Sequence, residues 1–365
     1  MSVEGTTGAM NAFSSQSSQQ ASAPLKADGL PRPSSLRRAP QVERNGGSAT
    51  GDPSPVVELD LKLWERILFY CMVGVLHAIS LLPDFLLWRL GELGGKLAYI
   101  LDSRHVKIGL INLKIAFPER SEEQRRQILK ASYINLGRGA AEYIRLGGFF
   151  YRRLLQRVRY ERFEYWEELK ARYPGRGLII ISAHFGNFEL LPAAHAMHGY
   201  QIGLVHHTQR FHAGDALTTF VRRRLGVELF RKHSAARAVL KALKDGKLVG
   251  VSFDQNAKRS EAIFVPFFGE LAATSRALAR LVSMARVPVV PVFILREENP
   301  RNHRIIILEE IPIQRTADAE ADITVNTTRF VRAIEETVRR YPEQFLWTHR
   351  RYRTRPRGAA KIYDD

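Results

Sequence analysis

The chain has 365 residues and a formal charge of +18. That length accommodates two average domains or one large α/β domain with additions, so the core is not limited by size. The single cysteine, Cys71, excludes an intrachain disulfide framework and a cysteine metal cluster. The basic excess favours an anionic partner: nucleic acid, an acidic carrier protein, a phosphorylated ligand or an anionic membrane surface.

Residues 1–55 are rich in Ser, Gln, Gly, Ala and Pro and are expected to form a disordered tail, because so few large apolar residues cannot offset the entropy of ordering. The tail holds five Lys or Arg and four Asp or Glu, so nearly all of the +18 belongs to the rest of the chain. No apolar run of the signal-peptide kind is read at its start. Residues 56–102 are read as apolar membrane-anchor helices. Within "LWERILFYCMVGVLHAISLLPDFLLWRL" the stretch 67–83 carries no formal charge and is bounded by Arg66 and Asp84. Its 17 residues are the short limit for a span, and His77, Ser80 and Pro83 count against one. A monotopic or re-entrant anchor, a single span and a buried core helix all fit. Trp64, Tyr70 and Trp88 suit a lipid interface and ordinary core equally well.

From 103 to 146 the spacing is helical. "RHVKIGLINLKIAF" repeats apolar residues at three and four until Pro118, and Ser121 with Gln124 forms a capping-box pattern opening a helix to about Leu146. "EYWEELKARYPGRG" reads as a further helix ended by Pro174 and Gly175. From Gly177 the pattern changes to short apolar runs alternating with amphipathic segments. "LIIIS", "IGLV", "LVGVSF", "PVVPVFIL" and "RIIIL" are expected strands, with helices near 188–198, 214–225, 234–245 and 275–285. The alternation predicts an α/β fold with a mixed, largely parallel sheet flanked by helices, and the last two strands, joined by "REENPRNH", form an antiparallel hairpin. Ligands on such sheets bind beyond the carboxyl ends of the strands.

His184 lies at one of those ends, in "ISAHFGNFELL" (181–191). A histidine bonded to a carboxylate can take a proton from a hydroxyl, which then attacks an acyl group. With a helix beginning near Asn187, Glu189 falls in its first turn and can lean back towards His184. Gly186 lets the backbone turn closely, and helix N-terminal amides can support an oxyanion. The spacing alone equally fits a solvated strand-end histidine and a glutamate that merely favours the helix dipole. His206, His207 and His212 with Asp215 form a candidate metal cluster, but adjacent histidines on a strand point to opposite faces, and no metal is expected. The aromatic residues of "FVPFFG" fit an acyl channel and plain core alike.

"HFGNFE" resembles the H-x4-acid signature of the glycerolipid acyltransferases, in particular the bacterial lipid A lauroyl/myristoyl acyltransferase family. Five further segments occur in that family's order: 104–118, 135–143, "FDQN" (253–256), "FVPFFGELAAT" (264–274) and "YPEQFLWTHRRYRTRP" (341–356). The resemblance covers about 62–357. It implies an acyltransferase domain at 103–357, catalytic from about 177, with 358–365 left as a C-terminal tail. It further implies an enzyme on the cytoplasmic face of the bacterial inner membrane. Such an enzyme moves a fatty acyl chain from acyl carrier protein or acyl-CoA to a hydroxyl of a phosphorylated lipid acceptor, without a cofactor. His184 would be the base and Glu189 its orienting carboxylate. Gly186, Asn187, Asp254, Gln255 and Thr274 would shape the substrate site. Basic residues around Tyr352, namely Arg350, Arg351, Arg353 and Arg355, are candidates for anionic contacts, with Arg350 assigned to substrate. No nucleic-acid module is recognised.

The sequence departs from the family where Arg-Pro is usual, placing His207 and Thr208 there with Arg210 three residues beyond His207. A second departure is Arg276 and Ala277 in place of Thr-Gly, and both His207 and Arg276 are read as substrate-site positions. Phe253 replaces the usual proline, and Asn256 stands where a second acid is common. These changes fit the same chemistry on a lysophospholipid or aminolipid, and also a non-catalytic module that binds anionic membrane or carrier protein.

Overall fold

The computed structural model describes residues 61–206, 208–231 and 235–363. The expected disordered tail, 1–55, and His207 lie outside the described residues.

Helices open the described chain: α1 (Leu63–Ser80), α2 (Asp84–Leu101), α3 (Ser103–Ala116), α4 (Glu122–Gly147) and the short α5 (Tyr151–Leu155). The capping box at α4 is formed, Ser121 Oγ accepting from the Gln124 amide at 3.2 Å and Gln124 Oε1 accepting from the Ser121 amide at 2.8 Å. There follow β1 (Val158–Glu161), α6 (Phe163–Arg172), β2 (Leu178–Ser182), α7 (Leu190–Met197), β3 (Ile202–His206), α8 (His212–Arg224), β4 (Val227–Arg231), α9 (Ala235–Lys244) and β5 (Leu248–Ser252). The hairpin β6 (Ala262–Phe267) and β7 (Glu270–Ser275) comes next, then α10 (Ala277–Ala285), β8 (Val289–Arg296), β9 (His303–Ile307) and α11 (Ala319–Arg340).

The main sheet has the order β1-β9-β8-β2-β5-β3-β4, parallel throughout except for β8 against β9. The largely parallel sheet and its antiparallel last pair are thus as the sequence predicts. In β2, Ile179 and Ile181 join a core layer with α9, α10 and α11, while Leu178 and Ile180 join the opposite layer with α6 and α7. A strand buried on both faces has no polar side, which is why it reads as an unbroken apolar run.

The two apolar helices are tied to the body. α1 buries Phe69 and Leu76 and packs on α8 and α4. Arg145 of α4 donates to Ser80 O and, at 2.8 Å, to Leu82 O, and it pairs with Asp84 at 2.7 Å, so the α1–α2 turn is held by one guanidinium. α2 crosses α4 backbone against backbone. A Cβ on Gly137 would lie 2.1 Å from Gly91 O, and one on Gly95 would lie 2.4 Å from Tyr133 O. Small residues permit this approach, as at close helix crossings generally. The outward faces keep Trp64, Ile67, Tyr70, Val75, Phe85, Leu90, Leu97 and Ile100 exposed.

Gly137→Ala is expected to force the crossing apart and to lower the unfolding free energy by about 1–3 kcal/mol, the usual cost of overpacking. An unchanged denaturation midpoint would show that the crossing yields where the geometry says it cannot.

Candidate active site

Parallel register builds the centre of the site. Ser182 of β2 pairs with Ser252 of β5, so the residues two beyond each strand end, His184 and Asp254, meet. His184 Nδ1 lies 2.9 Å from Asp254 Oδ1 and 3.1 Å from Oδ2. The histidine side chain is 21% exposed and the aspartate 1%. Burial alone would raise the carboxyl of Asp254, but the charge and hydrogen bond of His184 hold it below its ordinary range. The ionised carboxylate therefore receives Nδ1–H, which leaves the Nε2 lone pair of the neutral ring available. The side-chain amide nitrogen of Gln255 lies 3.4 Å from Nε2, and Phe188 packs against the ring with centroids 4.8 Å apart. Burial pulls the His184 pKa down, but the Asp254 charge and hydrogen bond, with a further pull from Glu189, leave it raised overall.

The expected His184–Glu189 pair is not formed. α7 begins at Leu190, leaving Glu189 as its N-terminal flanking residue instead of within its first turn. Arg222 of α8 takes both Glu189 oxygens, Nη2 to Oε1 at 2.6 Å and Nε to Oε2 at 2.9 Å. The same guanidinium donates to His206 Nδ1 at 3.1 Å, and His206 Nε2 lies 2.8 Å from Asp215. Glu189 acts on His184 through its charge, and Asp254 holds the ring.

The turn between β2 and α7 is set from behind. Gly186 has φ +57°, and a Cβ there would lie 2.0 Å from Ile294 O, so only glycine fits. Its amide donates to Gln344 O at 2.8 Å. Asn187 is buried and donates from Nδ2 to Glu142 Oε2 at 2.7 Å, while its Oδ1 accepts from the Leu190 amide at 3.2 Å. Glu142 of α4 is itself gripped by Arg296 at the end of β8, at 2.6 and 2.8 Å, with His303 Nε2 at 3.0 Å. Arg296 also donates to Asn135 Oδ1 at 2.7 Å, and Asn135 Nδ2 reaches Gly186 O at 3.4 Å. Burial would raise the Glu142 carboxyl, but the Arg296 and His303 charges and hydrogen bonds hold it down at about 2.

Of the residues read from the sequence, His184, Asp254 and Gln255 converge, and Gly186 and Asn187 form the turn beside them. Thr274 is buried one layer back, its Oγ1 accepting from Arg351 Nη2 at 2.6 Å. Arg351, expected on an anionic surface, is 3% exposed and gives its remaining hydrogen bonds to the carbonyls of Ala273 and Gln255. Arg355 is bound to Glu270 at 2.5 Å. Arg276, expected at the substrate, is turned to Glu320 of α11 at 2.5 Å because it immediately precedes α10, which packs on α11. Arg210 is exposed, and Arg350 is half-buried in a turn whose carbonyl accepts from the Arg353 amide. His206 and His212 do not converge, the latter bonding Glu65 at 3.0 Å. No group of three potential ligands able to hold a metal occurs among the described residues. A groove of about 640 Å³ between α2, α3 and α4 contains none of these site residues.

Sequence reasoning missed Arg222, Glu142, Arg296 and His303. One signal was available: Asn135 and Glu142 stand seven apart, two turns along one face of α4 that is otherwise partly apolar.

The family model for bacterial lipid A biosynthesis acyltransferases matches residues 58–354. The chain is 29% identical over 292 residues to the lipid A biosynthesis lauroyltransferase of Escherichia coli (strain K12), covering 80% of this chain and 93% of that protein. It is 29% identical over 300 residues to the lipid A biosynthesis palmitoleoyltransferase of the same strain, covering 80% and 92%. With a lipid A biosynthesis acyltransferase of Haemophilus influenzae it shares 26% over 308 residues, covering 83% and 95%.

Glu142→Gln leaves the Arg296 charge buried without its counter-ion, and at neutral pH the stability is expected to fall by about 3–5 kcal/mol. Because the carboxyl of Glu142 is held at about 2 against an ordinary 4.5, its contribution is complete above pH 4.5 and is lost as the pH falls through 2. The variant should therefore lose less stability than the wild type on acidification across that window. Equal acid sensitivity in chemical denaturation would exclude this role for the pair.

Proposed function

The chain belongs to the bacterial lipid A biosynthesis acyltransferase family and is an acyltransferase; from that premise we propose that His184, held by Asp254, is the general base for transfer of a fatty acyl chain from a thioester to a hydroxyl of a lipid A precursor. The observation that carries this reading is the contact of His184 Nδ1 with the buried Asp254 carboxylate at 2.9 Å, which selects the tautomer with Nδ1–H and leaves Nε2 beside Gln255.

Nε2 takes the proton of the acceptor hydroxyl as its oxygen bonds to the thioester carbonyl carbon, and the carbonyl electron pair moves onto oxygen. Collapse of the tetrahedral intermediate breaks the C–S bond, and the imidazolium returns the proton to the departing thiolate. Products are the ester and the free thiol of the donor, acyl carrier protein or CoA. Asp254 stabilises the transient imidazolium. Glu189 adds a second negative charge at a distance while Arg222 keeps it from competing for Nδ1.

The exposed apolar faces of α1 and α2, with Trp64 and Tyr70, support a monotopic seat in the cytoplasmic leaflet of the inner membrane. One side of α1 is occupied by α8 and α4, an arrangement suited to a helix lying along the lipid surface instead of crossing it. The +18 charge suits an acidic carrier protein, a phosphorylated acceptor and an anionic leaflet together.

In cells carrying the wild-type protein, mass spectrometry of total lipids and lipid A should show one species gaining a single acyl chain, and the His184→Ala form should abolish that gain. The mass names acceptor and chain, including a lysophospholipid or aminolipid acceptor. Retention of the gain by the variant would sink the base assignment. In a purified assay kcat/KM should rise with pH through an inflection above 6.5, since only neutral His184 accepts the proton and Asp254 raises its pKa. Asp254→Asn should move that inflection down and lower the plateau on the order of 10³- to 10⁴-fold, because the ring loses its enforced tautomer. Glu189→Gln, by contrast, leaves Nδ1 bonded to Asp254, and a fall as deep as that of Asp254→Asn would show that Glu189 is the orienting group after all.

A further inference from the structure

A second histidine borders the site, and it serves no step described so far. His349 lies in the segment after α11 that closes against both loops of the centre. The Leu346 amide donates to His184 O at 3.0 Å, and the Asn256 amide, two residues beyond Asp254, donates to His349 Nε2 at 3.0 Å. Its own backbone is clamped, the carbonyl accepting from Asn112 Nδ2 and from the Arg351 amide, each at 2.8 Å. Asn256 is locked in turn, since Nδ2 donates to Thr354 Oγ1 at 3.1 Å and Oδ1 accepts from the Thr354 amide at 3.0 Å.

A ring nitrogen that accepts from a backbone amide carries no proton, so the hydrogen of neutral His349 is on Nδ1. Among the described residues nothing accepts it, and His349 is only partly buried. Burial pulls the pKa of His349 down to about 4, so the ring is neutral in the working range, and the charges of Asp254 and His184 both reach it. The result is a rigid, uncharged N–H donor at the edge of the site.

Acyl transfer requires such a donor, because negative charge develops on the thioester oxygen as the hydroxyl attacks. Several other groups near the centre are committed, and the Gln255 side-chain amide faces His184 Nε2 itself at 3.4 Å. The Gly186 amide serves Gln344 O and the Leu190 amide serves Asn187. Arg222 serves Glu189 and His206, and Arg351 serves Thr274 and two carbonyls. We propose that His349 is a catalytic residue whose Nδ1–H donates to the thioester carbonyl oxygen and stabilises the oxyanion, opposite the proton transfer at His184. A neutral imidazole suits this role because it polarises the carbonyl without offering a second acid to the attacking oxygen. The inference rests on the acyl-transfer reading.

The test uses the full chain in detergent micelles with the lauroyl thioester of acyl carrier protein and a phosphorylated lipid A precursor, with His184→Ala as control. His349→Ala should lower kcat by on the order of 10²- to 10³-fold, the usual effect of removing one oxyanion donor, with either KM changed less than about threefold. His349→Gln should recover at least about tenfold of that loss, since its amide can accept from the Asn256 amide and still donate. The denaturation midpoint of each variant separates lost folding from lost chemistry, and an unstable Ala form leaves the Gln form to be compared with a His349→Leu form. Wild-type kcat in His349→Ala, a loss confined to KM, or no advantage of Gln over the apolar variant would each overturn the assignment while an inactive His184→Ala keeps the base intact. No transfer by the wild type would instead remove the acyl-transfer reading, and this inference with it.

Discussion

The ion pair between Glu142 and Arg296 is the contact on which the arrangement of the site depends. Both side chains are almost wholly buried, so each charge has lost its water and has the other to replace it, with His303, the Pro300 carbonyl and the amides of Asn135 and Asn187 around them. A pair of that kind tolerates little displacement. It joins α4, from the helical region, to the end of β8, from the sheet, and it holds Asn187 between them. Hydrophobic packing fills the two layers around the sheet, but it is non-directional and would not by itself determine where the turn at Gly186 and Asn187 points. The directional bonds to Asn187, Asn135 and Gly186 supply that determination.

Around His184 two carboxylates act differently because of their surroundings. Asp254 is sealed and touches the ring, so it sets which nitrogen is protonated. Glu189 is paired with a bidentate guanidinium and reaches His184 only through its charge, while Nη1 of that guanidinium donates to His206, whose Nε2 meets Asp215. A polar chain of that length ties α8 to the signature turn, and the position of α8 in turn depends on α1, with which it packs.

Much of this was legible in the sequence, and the failures have physical causes. β2 and β8 are covered on both sides, so their apolar runs stand out; β1 and β4 are edge strands of four and five residues that are only partly buried, and they offer no comparable run. The β6–β7 hairpin lacks the usual turn signal, because its turn places Phe268, a bulky residue, at φ 52° before Gly269 at 80°. At the site, His184 and Asp254 were visible as motifs, but the carboxylate nearer in sequence was given the role of the one 70 residues away. Spacing along a chain does not register that parallel strands bring their ends together. Glu142 and Arg296 read as ordinary charges on a helix and at a strand end, because the one signal, Asn135 and Glu142 seven apart on α4, does not name the partner that pairs with them.

The crossing of α2 over α4 contains peptide groups where other interfaces contain side chains. Cores accommodate change by trading methyl groups and rotamers among neighbours, and that currency is absent where carbonyl oxygen meets Cα. The crossing is in this sense a rivet and not a hinge. α4 also carries Asn135 and Glu142, so one helix joins the crossing with α2 to the turn bearing Asn187. The broad apolar face of α2 and the loop beside the histidine are fastened to the same rod.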